Sequence, residues 1–297
     1  MILRPTPTTT ALFGPGVQTY AALVNGVAAG ISHEPYEFID DGAFEDAVRR
    51  GGLNQAAIGR IIWSELLQRA RLAATLSMIR TASWIEASAR ERQLGAFAPF
   101  AACCRALLEA AGDSCDALNF VALTLAEHSV QIRQELSGNG GGATSLELEE
   151  VLIHFTHARH IPKGVNAPTS HKAKKTGDYL DVLSSMGLPA AKAFYGALCE
   201  RMHPAQPGLT YYYRTKKDGT FTLTLDGEAA ALDDFVDEYG ETLREILPLA
   251  LNPALLTLRV CGAFGLWSIS PTLESANFDA IPVWARIKTA LKLASQN

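Results

Sequence analysis

Between Asn54 and Gln93 the chain runs without a proline, and Ile61, Ile62, Leu66, Leu67, Ala70, Leu76 and Ile79 recur at helical spacing. The pattern predicts one long helix, or two in line. Gly95 then opens a second apolar stripe of Phe97, Phe100, Cys104, Leu107 and Leu108. Gly112 is expected to stop that helix and the stretch "DSCD" at 113–116 to cap the next, which ends near Leu136. Residues 137–145, "SGNGGGATS", interrupt the pattern with glycine, serine and asparagine and read as a connector. They do not form a phosphate-cradling loop, because no Gly-Lys-Ser/Thr follows and no strand precedes.

Beyond the connector, "EEVLIHFTHARH" at 149–160 is a helix, followed by a long polar loop through "IPKGVNAPTSHKAKKTGD". "YLDVLSSMG" and "LPAAKAFYGALCERM" predict two more helices, the second stopped by His203-Pro204. "TYYYRTKKDGTFTLTLDG" is the clear β signal, two β-branched and aromatic runs around an Asp218-Gly219 turn. Helices resume at "EAAALDDFVDEYGETLREIL", "PALLTLRVCGAFGL" and "PVWARIKTALKLA", the last two each led by a proline. Near the start, Pro and Thr suggest a loose arm to about residue 16, and "VQTYAALVNGVAAGIS" and "AFEDAVRR" suggest short helices. The expected fold is mainly α, a multi-helix bundle with one small β-hairpin near residues 211–225. Its expected organisation is an arm with short helices over 1–52, a helical half over 53–137, the glycine-rich linker 138–145, and a second helical half with the hairpin over 146–297, packed on the first.

Composition adds bounds. At 48% hydrophobic residues the chain can bury a substantial core, and abundant alanine favours helix. The net charge of −5 gives no global signal for a polyanion, so any such signal must be local. The basic positions do cluster, Lys163 with Lys172, Lys174 and Lys175, and Lys216-Lys217 beside Tyr211, Tyr212 and Tyr213. Cations beside stackable rings suit single-stranded nucleic acid, and they equally suit a protected edge strand. The cysteines are odd in number, scattered and without a C-x-x-C pair, which points to reduced buried thiols. "YAALVNGVAAGI" is too short to span a bilayer and the N-terminus has no sustained apolar core of a signal peptide. The expectation is a cytoplasmic chain with no membrane partner.

Two clusters carry candidate chemistry. On the helix around 149–160, Glu147, Glu150, His154 and His157 share one arc opposite Leu148, Val151, Leu152 and Phe155. Glu150, His154 and His157 are therefore the candidate metal ligands, because imidazoles one turn apart can converge on one ion. The competing expectation for this stripe is a solvated polar face, and no bound cofactor is expected. The second cluster is Arg105 with Glu109, one turn apart, and the segment "YGALCERMHP" that holds Tyr195, Cys199 and His203. Arg105, Glu109 and His203 are the candidate catalytic residues.

These residues, from Arg105 to Glu109 and through "YGALCERMHP", together with the helices around them, resemble the uncharacterised bacterial helical proteins grouped with HEPN-type abortive-infection families. The resemblance covers about residues 55–205 and implies a helical protein that acts on or senses RNA in a stress or phage response, usually as a homodimer. In that superfamily the nucleases carry an arginine followed by histidine after four to six residues, and no histidine of this chain has an arginine at that offset. A non-catalytic scaffold or protein-interaction module is the alternative, and a metal-dependent enzyme using the Glu/His helix a lesser one.

Overall fold

The first residues, expected as a loose arm, are pinned. In this computed structural model, which describes residues 2–31, 35–142, 144–203, 208–224 and 226–294, the amide of Asn25 brackets Leu3. Its oxygen accepts from the N–H groups of Ile2 and Leu3 at 2.7 and 3.1 Å, and its nitrogen donates to the Leu3 carbonyl at 2.7 Å. Leu3 is buried, and so are Leu12 and Phe13 on helix α1 (Pro7–Phe13). Thr6 and Thr9 cap α1 reciprocally. The Pro/Thr composition that suggested looseness thus supplies a cap and a proline at a first-turn position.

The remaining helices follow the apolar periodicity closely. They are α2 (Val17–Ile31), α3 (Asp41–Arg49), α4 (Gln55–Leu94), α5 (Phe97–Leu118), α6 (Val121–Glu127), α7 (Ser129–Leu136), α8 (Leu146–His157), α9 (Thr176–Ser185) and α10 (Ala191–Met202). After the hairpin come α11 (Gly227–Gly262), α12 (Pro271–Glu274) and α13 (Pro282–Ala294). The long pattern from Asn54 is a single helix of 40 residues. Gly95, at φ 67°, closes it.

Two expected breaks are absent. Gly112 does not end α5, which continues to Leu118. Its missing Cβ serves packing instead, since a Cβ there would lie 2.7 Å from that of Tyr179 on α9. Pro253 likewise begins no helix, because α11 runs through both Pro248 and Pro253. Each proline forfeits one backbone hydrogen bond, and the burial of Leu247, Ala250, Leu251, Ala254 and Leu255 around them keeps the helix whole.

Strands β1 (Tyr213–Thr215) and β2 (Phe221–Leu223) pair antiparallel with Arg214 opposite Thr222. Gly219 turns at φ 82°, and Asp218 accepts from the Thr220 N–H at 3.0 Å. Pro204 and the last residue of the expected hairpin, Leu225, lie outside the described residues, as does His33.

The chain forms two compact units, each assembled from three separate segments. The first unit takes Met1–Ala28, Ser77–Asp116 and Lys175–Asn252, and the second takes Ala29–Leu76, Ala117–Lys174 and Pro253–Asn297. The core of the first unit is aromatic. Phe97 meets Phe235 and Tyr211 with ring centroids 5.2 and 5.6 Å apart, and Tyr239 meets Phe194 and Phe235 at 5.2 and 4.8 Å. In the second unit α13 packs on α6 and α7, and Trp63, Leu67, Leu125, Ile132 and Ile287 are buried.

The glycine-rich stretch read as a connector lies within the second unit. It wraps the buried carboxylate of Glu135, which accepts from the Gly142 N–H at 3.2 Å. A Cβ at Gly59 or Gly140 would collide with that carboxylate. By length and composition α11 could cross a membrane, and 67% of its most apolar window is buried inside the protein, as for an interior helix.

Candidate functional site

Arg105 and Glu109 do pair. They sit one turn apart on α5, with Arg105 Nε donating to Glu109 Oε1 at 3.2 Å. The Tyr195 hydroxyl, from α10, donates to the same oxygen at 3.3 Å, and the Arg105 guanidinium lies 4.9 Å from the centre of the Tyr195 ring. Burial alone would pull the Arg105 guanidinium down, but the Glu109 hydrogen bond and the nearby Tyr195 and Cys199 outweigh it and hold it above its ordinary value. Burial raises the Tyr195 phenol, with Arg105 opposing. The result is a half-open trio of a fixed cation, a carboxylate and a neutral phenol. Tyr195 belongs to this trio as firmly as the two residues that spacing picked out.

His203 does not join them. It is exposed at the C-terminal end of α10, where its backbone N–H donates to the Cys199 carbonyl at 2.9 Å. Among the described residues no hydrogen bond or ion pair links it to Arg105 or Glu109. The thiols are all free. Burial pushes Cys115 and Cys261 up to about 12 and Cys104 higher still.

The histidine-rich helix, α8, divides differently from the expectation of a uniform polar stripe. Glu147 and Glu150 are exposed, but His154 is turned inward and is 9% exposed. Its Nδ1–H donates to the Ser170 carbonyl at 3.0 Å, and its buried Nε2 has no hydrogen-bond partner. His154 is a strut that ties the turn Thr169–His171 to α8. His157 is exposed instead, with its ring stacked on that of His171 in the same turn at 5.3 Å and 18°. Glu150, His154 and His157 therefore do not converge. Among the described residues no three of His, Cys, Asp and Glu are placed to hold a metal ion.

The face of α8 that matters is Leu146, Glu149, Ile153 and His157, at helical spacing along one wall of a cavity of about 390 Å³ in the second unit. Ile39, Phe44, Ile62 and Leu66 supply further apolar surface, and Glu65, Arg69, Thr144 and His171 the remaining polar groups. Glu65 and Arg69 are an ion pair on α4, Nε to Oε1 at 2.7 Å, with side chains 15% and 12% exposed. The Arg69 guanidinium lies 4.5 Å from the centre of the Phe38 ring. At His157, Thr156 Oγ1 stands 2.7 Å from Nδ1 and 3.0 Å from the Leu152 carbonyl.

Beside this cavity the chain is locally basic. No Asp or Glu occurs between Glu150 and Asp178, while Arg159, Lys163, Lys172 and Lys174 all fall there. These four are exposed, as is His160. A short parallel bridge aligns Arg159 with Lys172: the Arg159 N–H donates to the His171 carbonyl at 3.0 Å, and the Ala173 N–H donates to the Arg159 carbonyl at 3.0 Å. The bridge holds the backbones of Arg159 and Lys172 side by side, next to His171, which lines the cavity. The acid-free run was legible in the sequence; the ladder that folds it into a patch was not.

The hairpin tyrosines divide: Tyr212 is exposed and Tyr213 half-buried, while Tyr211 is taken into the core. Tyr211 is buried against Phe97, and burial pushes its phenol up to about 12. Phe221 and Leu223 are the most exposed apolar groups there, at 68% and 82%. Comparison with protein-family models, with curated proteins and with solved structures finds no match to this chain.

Proposed function

We propose that this chain binds single-stranded RNA through the acid-free segment 157–174 and senses it rather than cutting it. The observation that carries the reading is the patch itself: Arg159, Lys163, Lys172 and Lys174 exposed on a run without acids, in a chain of net charge −5. Random placement of charge on an acidic protein does not favour such a run, and phosphate neutralisation is the main source of affinity for nucleic acid. The ladder between Arg159 and Lys172 lowers the ordering cost of binding, because the backbone is already held.

Sensing is favoured over cleavage by the arrangement around Arg105. Its neighbours are Glu109 and Tyr195, and the exposed imidazole of His203 is not joined to them. RNA rather than DNA, a cytoplasmic setting in stress or phage response and a homodimeric state enter through the resemblance to HEPN-type proteins and are parts of the same proposal. A protein-interaction role is the second reading, favoured by the exposed Phe221 and Leu223.

The test is fluorescence anisotropy with a labelled single-stranded oligoribonucleotide across a salt series. An Arg159→Ala/Lys163→Ala/Lys172→Ala variant should bind at least about tenfold more weakly, with a log–log salt slope shallower by about 2. Unchanged affinity and slope would overturn the proposal and move the weight to the protein-interaction reading. The wild type should also leave the oligonucleotide intact in chelator, and cleavage that disappears with Arg105→Ala would replace sensing by catalysis.

A further inference from the structure

We propose that strand β2 pairs edge to edge with the β2 of a second copy of this chain, so that two hairpins form one four-stranded antiparallel sheet. The inference rests only on the homodimeric part of the proposed function and gives it a contact surface. The bond pattern of the hairpin shows which groups are open. The Lys216 N–H donates to the Thr220 carbonyl at 2.8 Å, and the Thr224 N–H donates to the Tyr212 carbonyl at 2.9 Å. With Arg214 opposite Thr222, the bonded pairs inside the hairpin are therefore 216–220, 214–222 and 212–224. The backbone N–H and C=O groups of Phe221 and Leu223, which alternate with these, point away from β1. Among the described residues no hydrogen bond takes them.

An open edge is normally blunted by a charge, a proline or a bulge. Strand β2 has none of these. From Gly219 to Thr224 the sequence "GTFTLT" carries no charge and no proline, and the register with β1 runs residue for residue. The cations of the hairpin, Arg214, Lys216 and Lys217, sit on β1 and the turn instead. The residues of both strands are exposed apart from the half-buried Tyr213. Phe221 and Leu223 share one face, where the Phe221 ring meets that of Tyr213 edge-on at 5.2 Å.

A second copy fits this edge because the strand is its own complement. Antiparallel pairing about a two-fold axis at Thr222 sets Phe221 opposite Leu223 of the second copy, and Leu223 opposite its Phe221. The outward backbone groups of each strand then bond to those of the other. Tyr213, Phe221 and Leu223 of the two copies join into one apolar face across the axis. Charge balances as well. The same register brings Asp218 opposite Asp226 of the second copy, with Lys216 and Lys217 beside Asp218, so two lysines and two aspartates meet at each end. A strand of unrelated sequence has no such match built in.

Sedimentation velocity of the full chain from about 1 to 100 µM should show a monomer–dimer equilibrium, as suits a small interface of one short strand per copy. Leu223→Pro removes an outward N–H and leaves the bonded pairs of the hairpin in place, so it should weaken association at least about tenfold. Thr215 stands opposite Phe221, and its N–H points outward on the other edge. Thr215→Pro makes the same change there and should leave association unchanged, with thermal melts confirming that both variants are folded. Thr222→Cys should form a disulfide-linked dimer under mild oxidation, because the axis sets the two residues opposite each other with Cα atoms about 4.5 Å apart. The wild type, with its own free thiols, should not cross-link under the same conditions.

A chain that stays monomeric throughout this range would overturn the inference and the homodimeric state together. A dimer that survives Leu223→Pro, that dissociates equally in Thr215→Pro, or that gives no cross-link through Thr222→Cys would overturn the inference and leave a homodimer formed elsewhere. RNA binding is read separately, by the anisotropy of the labelled oligonucleotide with segment 157–174, which belongs to the second unit, whereas the hairpin belongs to the first.

Discussion

Two regions of this protein carry the same local device and use it differently. On α4, Glu65 and Arg69 pair one turn apart beneath the Phe38 ring; on α5, Arg105 and Glu109 pair one turn apart against Tyr195. The α4 pair is 15% and 12% exposed, whereas Arg105 and Glu109 are 32% and 36% exposed. The α4 pair also has glutamate first, the order that the helix dipole favours. Spacing is therefore silent about role. Burial decides it, because a buried pair must be kept complete while a half-open pair can exchange partners with water or a ligand.

The difference sets the scale of the first and largest effect. Arg69→Ala leaves the Glu65 carboxylate in apolar surroundings and should cost about 3 kcal/mol of stability in urea unfolding. Arg105→Ala, at a half-exposed site, should cost about 1 kcal/mol or less. A Glu65→Gln/Arg69→Met double variant should regain most of the loss, since no charge then remains buried. Equal costs at the two arginines would break the comparison.

A smaller effect separates the regions by packing. Gly112→Ala would press a Cβ onto Tyr179 and should destabilise the protein by about 1–3 kcal/mol through the α5–α9 contact. Gly196 on α10 has nothing within 4 Å, so Gly196→Ala should stabilise by about 0.5–1 kcal/mol. Thermal melts of the two variants should move in opposite directions.

The regions also differ in their response to alkali, the smallest of the expected effects near neutrality. Burial raises Tyr20, Tyr179 and Tyr211 in the first unit from 10.0 to about 12, and Cys115 there from 9.0 to about 12. In the second unit Cys261 rises from 9.0 to about 12. Because each folded value lies above the ordinary one, the unfolded chain releases these protons first. Their contribution is intact below about pH 9 and is lost as pH climbs to about 12. The melting temperature should fall by about 5 °C or more between pH 9 and 11, and amide exchange should show peptides of the first unit losing protection before those of the second. The reverse order would refute the assignment of the buried phenols. Exposure likewise predicts that alkylation reaches Cys103 and Cys199 before Cys104, Cys115 and Cys261.

Much of the fold was legible because apolar periodicity is a local signal. The forty-residue run of α4, the α8 helix and the Asp218-Gly219 hairpin all follow from spacing and turn chemistry. Where the reading failed, a distant contact overrode a local cue: Tyr179 explains Gly112, Asn25 holds the residues taken for an arm, and buried leucines carry α11 through its prolines. The assembly of each unit from three segments is set by tertiary packing and leaves no mark on any one stretch.

The candidate sites show the same division. The Arg105–Glu109 pair was visible as an i, i+4 spacing, but its Tyr195 partner comes from another helix. On α8 the wheel grouped His154 with His157, while the structure buries the first against Ser170 and stacks the second on His171. The face that lines the cavity, Leu146 through Glu149 and Ile153 to His157, mixes apolar and polar residues and so carries no amphipathic signature of its own. Glu65, Arg69 and His171 reach the same cavity from segments far apart in sequence.

The measurement that tests the central claim most directly is photo-crosslinking of a 4-thiouridine-labelled single-stranded RNA to the intact protein, with the attached peptides mapped by mass spectrometry. The account places the crosslinks on peptides within 157–174, and expects them to vanish in the Arg159→Ala/Lys163→Ala/Lys172→Ala variant. Crosslinks confined to α5 and α10, around Arg105 and Tyr195, would contradict it and return the RNA chemistry to the first unit.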